Sequence, residues 1–454
     1  MYRKNVWKEN KDHKAIMEFA EGYKDFLSFG KTERLATAYA VAELEKAGFV
    51  DGDKAKSAKP SDKIYFVNKK KNVCAFVLGK KPLKEGLRIL GAHIDSPRLD
   101  LKENPFYEKD GLVLGDTHYY GGIKKYQWTT TPLALHGVVC KKDGTVVDIH
   151  IGDEPEDPVF GVTELLIHLS ADQLQKTGAK VVEGEDLDIT LASIPLEGEE
   201  KEPVKKALLK LLKEKYDVEE EDFVSAEIEV VPAGEARDYG LDRSMVAAYG
   251  QDDSACAYTS LMALIDAKKV DYTACCILVD KEEIGSVGAT GAQSNFFLHA
   301  VAKLAELAGC AHPLYDAHLI LEASKMLSSD VSAGVDPLYE SVSEKKNAAF
   351  MGQGLVFNKY TGSRGKGGSN DANPEYYAWV RKAMDDAGVC WQNAELGKVD
   401  QGGGGTIAYI LGNMNMNVID AGVPLLSMHS PMEIVSKGDI YAAYQGYIAF
   451  IEAE

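Results

Sequence analysis

The chain lacks most of the features that would commit it to a specialised class. Its seven cysteines (Cys74, Cys140, Cys256, Cys275, Cys276, Cys310, Cys390) are odd in number and never stand in C-x-x-C spacing. They read as small buried hydrophobes of a reducing compartment, which argues against a disulfide framework and against a thiolate zinc site. Positive charge is scarce: 51 Lys and Arg face 70 Asp and Glu, a formal net charge of -19. Neither nucleic acid nor an anionic membrane is expected as the partner, since each needs a basic face. No apolar run approaches the length of a bilayer span, and the opening Met1-Tyr2-Arg3-Lys4-Asn5-Val6-Trp7-Lys8-Glu9 is not followed by the apolar core of a signal peptide; a cytoplasmic location is the default expectation. No G-x-S-x-G elbow frames Ser96, Ser254 or Ser286, which disfavours a serine hydrolase. There is no repeat of fixed period and no low-complexity tract, only local glycine clusters at 365–368 and 402–405.

What is present is an ordinary globular composition, 45% hydrophobic over 454 residues, long enough for two domains. Residues 10–50 carry Ala-rich amphipathic patterns that read as helices, and strand-like runs follow at 72–78 and 87–92. Between 96 and 244 the texture changes to short β-rich pieces, such as 133–140 and 146–151, among acidic turns, with one charged amphipathic helix at 203–216. After Met245 helix and strand alternate: helix 254–267, strand 274–279, helix 291–307, strand 318–321, helix 374–387, a helix opened by Gly402 to Gly405 at Thr406, and a last helix after Ser436. Such alternation indicates an α/β fold, a mixed and mostly parallel sheet flanked by helices. The expected organisation is a catalytic domain of residues 1–95 plus 245–454, interrupted by an inserted β-rich domain of residues 96–244.

The chemistry concentrates at strand ends. Val279-Asp280-Lys281-Glu282-Glu283-Ile284-Gly285-Ser286 places two adjacent carboxylates in a Gly-bounded turn directly after the apolar run 274–279. In an open α/β sheet, ligands bind beyond the carboxyl ends of the strands. By itself this is a solvated acidic turn, but four further candidates recur in similar settings. His93-Ile94-Asp95 follows the strand at 87–90, where His93 can bind a metal and Asp95 can orient a neighbour. Asp252-Asp253 opens a helix, where one carboxylate can cap and the other can reach a cation. Asp330 and His429, the latter in Met428-His429-Ser430-Pro431-Met432-Glu433, complete the set. His93, Asp252, Glu283, Asp330 and His429 suit two divalent ions, zinc or else manganese or cobalt, with Asp252 as the shared bridge. Glu282 is then left to take a proton from a metal-bridged water and pass it to a leaving amine.

In Gly91-Ala92-His93-Ile94-Asp95-Ser96-Pro97, Asp252-Asp253, Asp280 to Ser286, Ser329-Asp330 and Met428 to Glu433, in this order over nearly the whole length, the chain resembles the aspartyl aminopeptidase family of di-zinc metallopeptidases, as a bacterial member. The resemblance implies a zinc-exopeptidase-like fold and a co-catalytic pair of metal ions. It also implies release of the N-terminal residue, Asp or Glu by preference, from peptides with a free N-terminus, and a tetrahedral homododecamer built through the inserted domain. It assigns His168, in Leu165-Leu166-Ile167-His168-Leu169, to the active site of a neighbouring subunit, and Lys359, in Asn358-Lys359-Tyr360, to an acidic substrate side chain.

From the residues themselves, Gly403 and Gly404, ahead of a helix, offer backbone N–H groups to a peptide carbonyl or an oxyanion, or else form only a flexible turn. Asp95 or Glu282 could receive the α-amino group. Arg364 and Lys366 could meet an acidic substrate end, though solvated loop cations are commoner. Two rival readings stand beside the aminopeptidase. One is another di-metal amide hydrolase of related ligand order, a deblocking aminopeptidase or a deacylase. The other is a catalytically silent assembly-forming protein, which the intact Glu282 and ligand set disfavour.

Overall fold

The computed structural model describes residues 4–454; Met1 to Arg3, the start of the segment read above for a leader, lie outside the described residues. The chain divides into two compact units, one of Met1–Asp95, Ala236–Met428 and Met432–Glu454, the other of Ser96–Glu235 and His429–Pro431.

The first unit is organised on a nine-stranded sheet. Its centre is Ala274–Val279, Arg88–His93, Lys325–Ser328 and Asn417–Gly422, paired parallel in that spatial order. Lys63–Asn68 and Asn72–Val77 extend it on one side, Asn72–Val77 pairing antiparallel with Ala274–Val279. Leu355–Asn358 extends it on the other, antiparallel to Asn417–Gly422. All six residues of Ala274–Val279 and of Arg88–His93 are buried, as expected for strands covered on both faces. Alternate residues therefore feed two cores. Leu90, Cys276 and Leu278 pack with Ala255, Leu261 and Tyr447 of helices Gln251–Asp266 and Lys437–Glu452. Ile89, Cys275 and Ile277 pack with Phe297, Leu304 and Ile320 of helices Phe296–Leu307 and Pro313–Glu322. Truncating a fully buried phenylalanine in such a core, Phe297 or Phe357, costs about 3–5 kcal/mol. A smaller five-stranded sheet joins Arg237–Tyr239, Met245–Ala248, Glu433–Ser436, Pro424–Leu426 and Ser332–Ala333.

The second unit is a six-stranded sheet in the order Val146–Ile151, Leu133–Cys140, Ala226–Pro232, Arg98–Lys109, Leu112–Tyr120, Ile189–Ala192, antiparallel throughout. Trp128, Leu99, Val113 and Val230 are fully buried in it. Its helix Pro203–Tyr216 begins with Pro at the first turn, and the Glu108 carboxylate accepts the free N–H groups of Val204 and Lys205, both at 2.9 Å.

The α/β class and the mostly parallel sheet agree with the alternation in the sequence. Two local readings do not. Residues 318–321, expected as a strand, are helical within Pro313–Glu322, and the strand is Lys325–Ser328. The glycine cluster does not open a helix at Thr406: the helix is Ala408–Gly412, five residues long and capped by Ile407. No helix of the described residues is long and apolar enough to cross a membrane.

Candidate metal centre

Three carboxyl ends of the first unit's main sheet, those of Arg88–His93, Ala274–Val279 and Lys325–Ser328, carry candidate ligands. His93 is the last residue of its strand and is 2% exposed. Its Nδ1 donates to the backbone carbonyl of Asp95 at 3.0 Å and lies 3.4 Å from Asp95 Oδ1. The tautomer this favours leaves Nε2 facing the site, 3.2 Å from Asp252 Oδ1 and 4.0 Å from Glu282 Oε2.

Glu282 and Glu283 sit in the turn Glu282–Ile284 after Ala274–Val279, closed by Gly285 at φ 95°. Asp95, fully buried, holds this turn: its Oδ1 accepts the N–H of Glu282 at 3.0 Å and its Oδ2 that of Glu283 at 3.1 Å. Asp95 is therefore in contact with both the imidazole and the carboxylate turn. The preceding Asp280 accepts the Thr290 hydroxyl at 2.5 Å. Burial, with the charges of Glu33 and Asp95, pushes Asp280 up to about 6.

Asp252 and Asp253 occupy the irregular start of Gln251–Asp266, where both residues leave helical φ/ψ and the peptide bond between them is cis. The N–H of Asp252 donates to Glu433 Oε2 at 3.0 Å, and Gln251 donates to the Glu433 carbonyl at 2.7 Å. Asp253 Oδ2 accepts the His93 N–H at 3.4 Å. Asp330 follows Lys325–Ser328, fixed by the Ser329 N–H on the Gly91 carbonyl at 2.6 Å and by Ser260 against Ser329 at 3.2 Å. Gly422 permits this approach: a Cβ there would lie 1.8 Å from the Asp330 carbonyl oxygen.

The main-sheet strands thus bring together His93, Asp253 and Asp330, and also His93, Glu282 and Glu283, each group with ligand atoms within 4.8 Å of one another. The electrostatics are those of an anionic cage. Burial opposes charge on His93, yet hydrogen bonds to Asp252 and Asp95 and the charges of Asp253 and Glu282 outweigh it and raise its proton affinity. Burial, then repulsion among Asp252, Asp253 and Glu282, raises Asp253 and Asp330 well above ordinary carboxylates. Carboxylates crowded around one imidazole are unfavourable alone and suit a dication, which drives the protons off; oxygen and nitrogen donors without thiolate fit zinc.

His429 falls within the second unit's contacts, where its Nδ1 donates to the Gly122 carbonyl at 2.8 Å. His168 lies exposed in the turn Ile167–Leu169 of that unit. Lys359 and Lys366 both pair with Asp371, and Lys366 stands 3.8 Å over the Tyr360 ring. The Gly404 N–H points to the Thr361 carbonyl at 3.4 Å, and Gly403 lies against the backbone of Gly362 and Ser363. The glycines thus belong to a loop packed on residues 361–363.

Sequence reasoning overlooked Glu433 as the residue that anchors Asp252, although it stands in the quoted His429 motif. It passed over Asp253 in favour of its neighbour. Asp420, 1% exposed, was not singled out at all; burial pushes it up to about 7, with the charge of Glu282 adding to that and Thr406, at 2.7 Å, opposing it.

A buried imidazole with carboxylates converging on it beyond the ends of parallel strands is the donor set of a metallohydrolase. Residues 26–451 match the model of the aminopeptidase I zinc metalloprotease family (M18), and the chain belongs to that family. It is a zinc metallo-aminopeptidase. It is 55% identical to a probable M18 family aminopeptidase 1 of Clostridium acetobutylicum, over 99% of this chain and 98% of that one. The crystal structure of an M18 family aminopeptidase from Thermotoga maritima superposes with a TM-score of 0.97 at 46% identity, covering 100% of both chains. The mApe1 dodecamer of S. cerevisiae, 20% identical, shares the fold, with a TM-score of 0.76 over 96% of this chain and 97% of that one.

Proposed function

We propose that the enzyme is a di-metal aminopeptidase that releases the N-terminal residue of peptides, Asp or Glu by preference, with Glu282 as the general base. The observation that carries this reading is the convergence of Asp252 and Glu282 on the outward nitrogen of His93, whose other nitrogen is held by Asp95. His93, Asp252, Glu283, Asp330 and His429 are the ligands. His429 supports its part by committing Nδ1 to the Gly122 carbonyl, which leaves Nε2 as the ligand atom. When bound, zinc acidifies a water and polarises the scissile carbonyl. Glu282 takes a proton from the attacking water at its carboxylate and delivers it to the departing amine. Asp95 is a positioning residue, fixing the His93 ring and the Glu282 backbone together.

Preference for an acidic residue rests on Lys359, which an incoming carboxylate would have to draw from Asp371. Gly403 and Gly404 are the weakest substrate contacts of the set, because the Gly404 N–H is directed at Thr361. The 96–244 segment acts as the assembly domain of a homo-oligomer, a tetrahedral dodecamer by family likeness, with His168 acting in the neighbouring site. In support, His168 is flanked by exposed apolar side chains, Ile167 63% and Leu169 70% exposed, a patch that suits a protein contact. A cytoplasmic location fits seven free cysteines.

The test is hydrolysis of acidic, neutral and basic N-terminal aminoacyl substrates by metal-stripped protein with and without zinc. Zinc-restored release of Asp and Glu above the others is expected. Restored release of neutral residues instead would remove the acidic pocket, and no release with zinc, manganese or cobalt would overturn the reading.

A further inference from the structure

The antiparallel unit carries a second pair of imidazoles. His136 of Leu133–Cys140 and His150 of Val146–Ile151 are direct Cα partners in the register, so both side chains leave the same face of the sheet. Their Nδ1 atoms are 3.1 Å apart. Asp153 Oδ2 lies 2.8 Å from His136 Nε2, while its Oδ1 accepts the Gly234 N–H at 3.0 Å. A carboxylate at that position keeps the proton on Nε2, so His136 turns the lone pair of Nδ1 toward His150. Burial, then the neighbouring His136, lowers the proton affinity of His150, against the opposing charges of Asp148 and Asp153. His136 is 5% exposed and His150 is open to solvent, so a cation reaches the pair from the His150 side.

Two nitrogens about 3 Å apart have the separation of adjacent ligands on one metal ion at bonds of about 2.0–2.1 Å. A histidine ligand whose far nitrogen is held by a carboxylate is the usual companion geometry. We propose that His136 and His150 form a further metal site, distinct from the catalytic ligand set, that takes a first-row dication favouring imidazole: copper, nickel or zinc. Asp153 orients His136, Asp148 on the same strand face as His150 adds negative potential, and water completes the coordination. An ion there clips the edge strand Val146–Ile151 to its neighbour. Copper binds tightest of the three by the ordinary affinity order, which makes it the probe.

The experiment adds one equivalent of Cu2+ per chain to the zinc-loaded enzyme and records its electron paramagnetic resonance spectrum. Superhyperfine coupling to two imidazole nitrogens is expected in the wild type. His150→Ala should abolish it, and His150→Gln, which keeps a polar side chain of similar reach, should do the same while peptidase activity stays unchanged. Asp153→Asn should weaken Cu2+ binding about 10–100-fold. A spectrum without two-nitrogen coupling, the outcome if the pair only shares a proton, overturns the proposal. So does coupling that persists in both His150 variants, which would place the copper in the catalytic centre.

Discussion

Replacing Asp95 by Asn tests how the site is held together. The carboxylate accepts two backbone N–H groups, of Glu282 at 3.0 Å and of Glu283 at 3.1 Å, and lies 3.4 Å from His93 Nδ1. An asparagine keeps one acceptor oxygen and turns an NH2 toward the second N–H. The change loses one charge-assisted hydrogen bond, about 1.5–3 kcal/mol, and strands a buried donor at about 1–3 kcal/mol, so roughly 2.5–6 kcal/mol of support for the Glu282 turn disappears. His93 loses its orienting carboxylate at the same time, which lowers zinc affinity by about 10–100-fold. The assay is a chelator competition for zinc beside kcat and KM on one aminoacyl substrate at saturating zinc. Weaker zinc binding and a kcat lower by about a hundredfold, with KM little changed, are expected. An Asp95→Asn enzyme with wild-type zinc affinity and kcat would refute the positioning role.

Other substitutions separate the chemistry from the scaffold. Glu282→Gln should lower kcat by about 10²–10⁴-fold while zinc content by mass spectrometry is unchanged, since the base is not a ligand; loss of zinc would instead make Glu282 a ligand. Asp439, buried in the first turn of Lys437–Glu452, accepts the N–H groups of Gly352 at 2.6 Å and Gly354 at 2.7 Å. Burial outweighs those hydrogen bonds and pushes it from 3.8 up to about 7. A raised carboxyl pKa favours the protonated fold, so its contribution is complete below about pH 4 and declines as pH rises to about 7, by roughly 4 kcal/mol at most. Relative to Asp439→Asn, the wild type should therefore lose stability between about pH 4 and pH 7 in urea unfolding; parallel pH profiles would contradict this.

The strand positions were legible because buried parallel strands read as apolar runs, and the candidate ligands were sought where those runs end. Ala274–Val279 followed by Glu282-Glu283 is such a case. The run at 318–321 misled because four apolar or neutral residues fit a strand or a helix; Pro313 at the first turn and burial of Ala317, Ile320 and Leu321 at helical spacing decide for the helix. Asp253 was passed over because Asp252 and Asp253 adjoin in sequence, and only the irregular backbone there sends both carboxylates toward His93. Asp420 meets Thr406 and the charge of Glu282 through strand order alone, which no local pattern reports. The His136 and His150 pair depends on the register of two strands, since a shift of one residue would send one ring to the opposite face.

The central claim is a two-metal catalytic centre with Glu282 as its base. It is tested most directly by titrating metal-free protein with zinc while following aminoacyl-substrate hydrolysis, in a His150→Ala background so that the imidazole pair on the antiparallel unit is not counted. Activity that rises with zinc and saturates at two ions per chain is the predicted result. Full activity in metal-free protein, or saturation at one ion per chain, would contradict it.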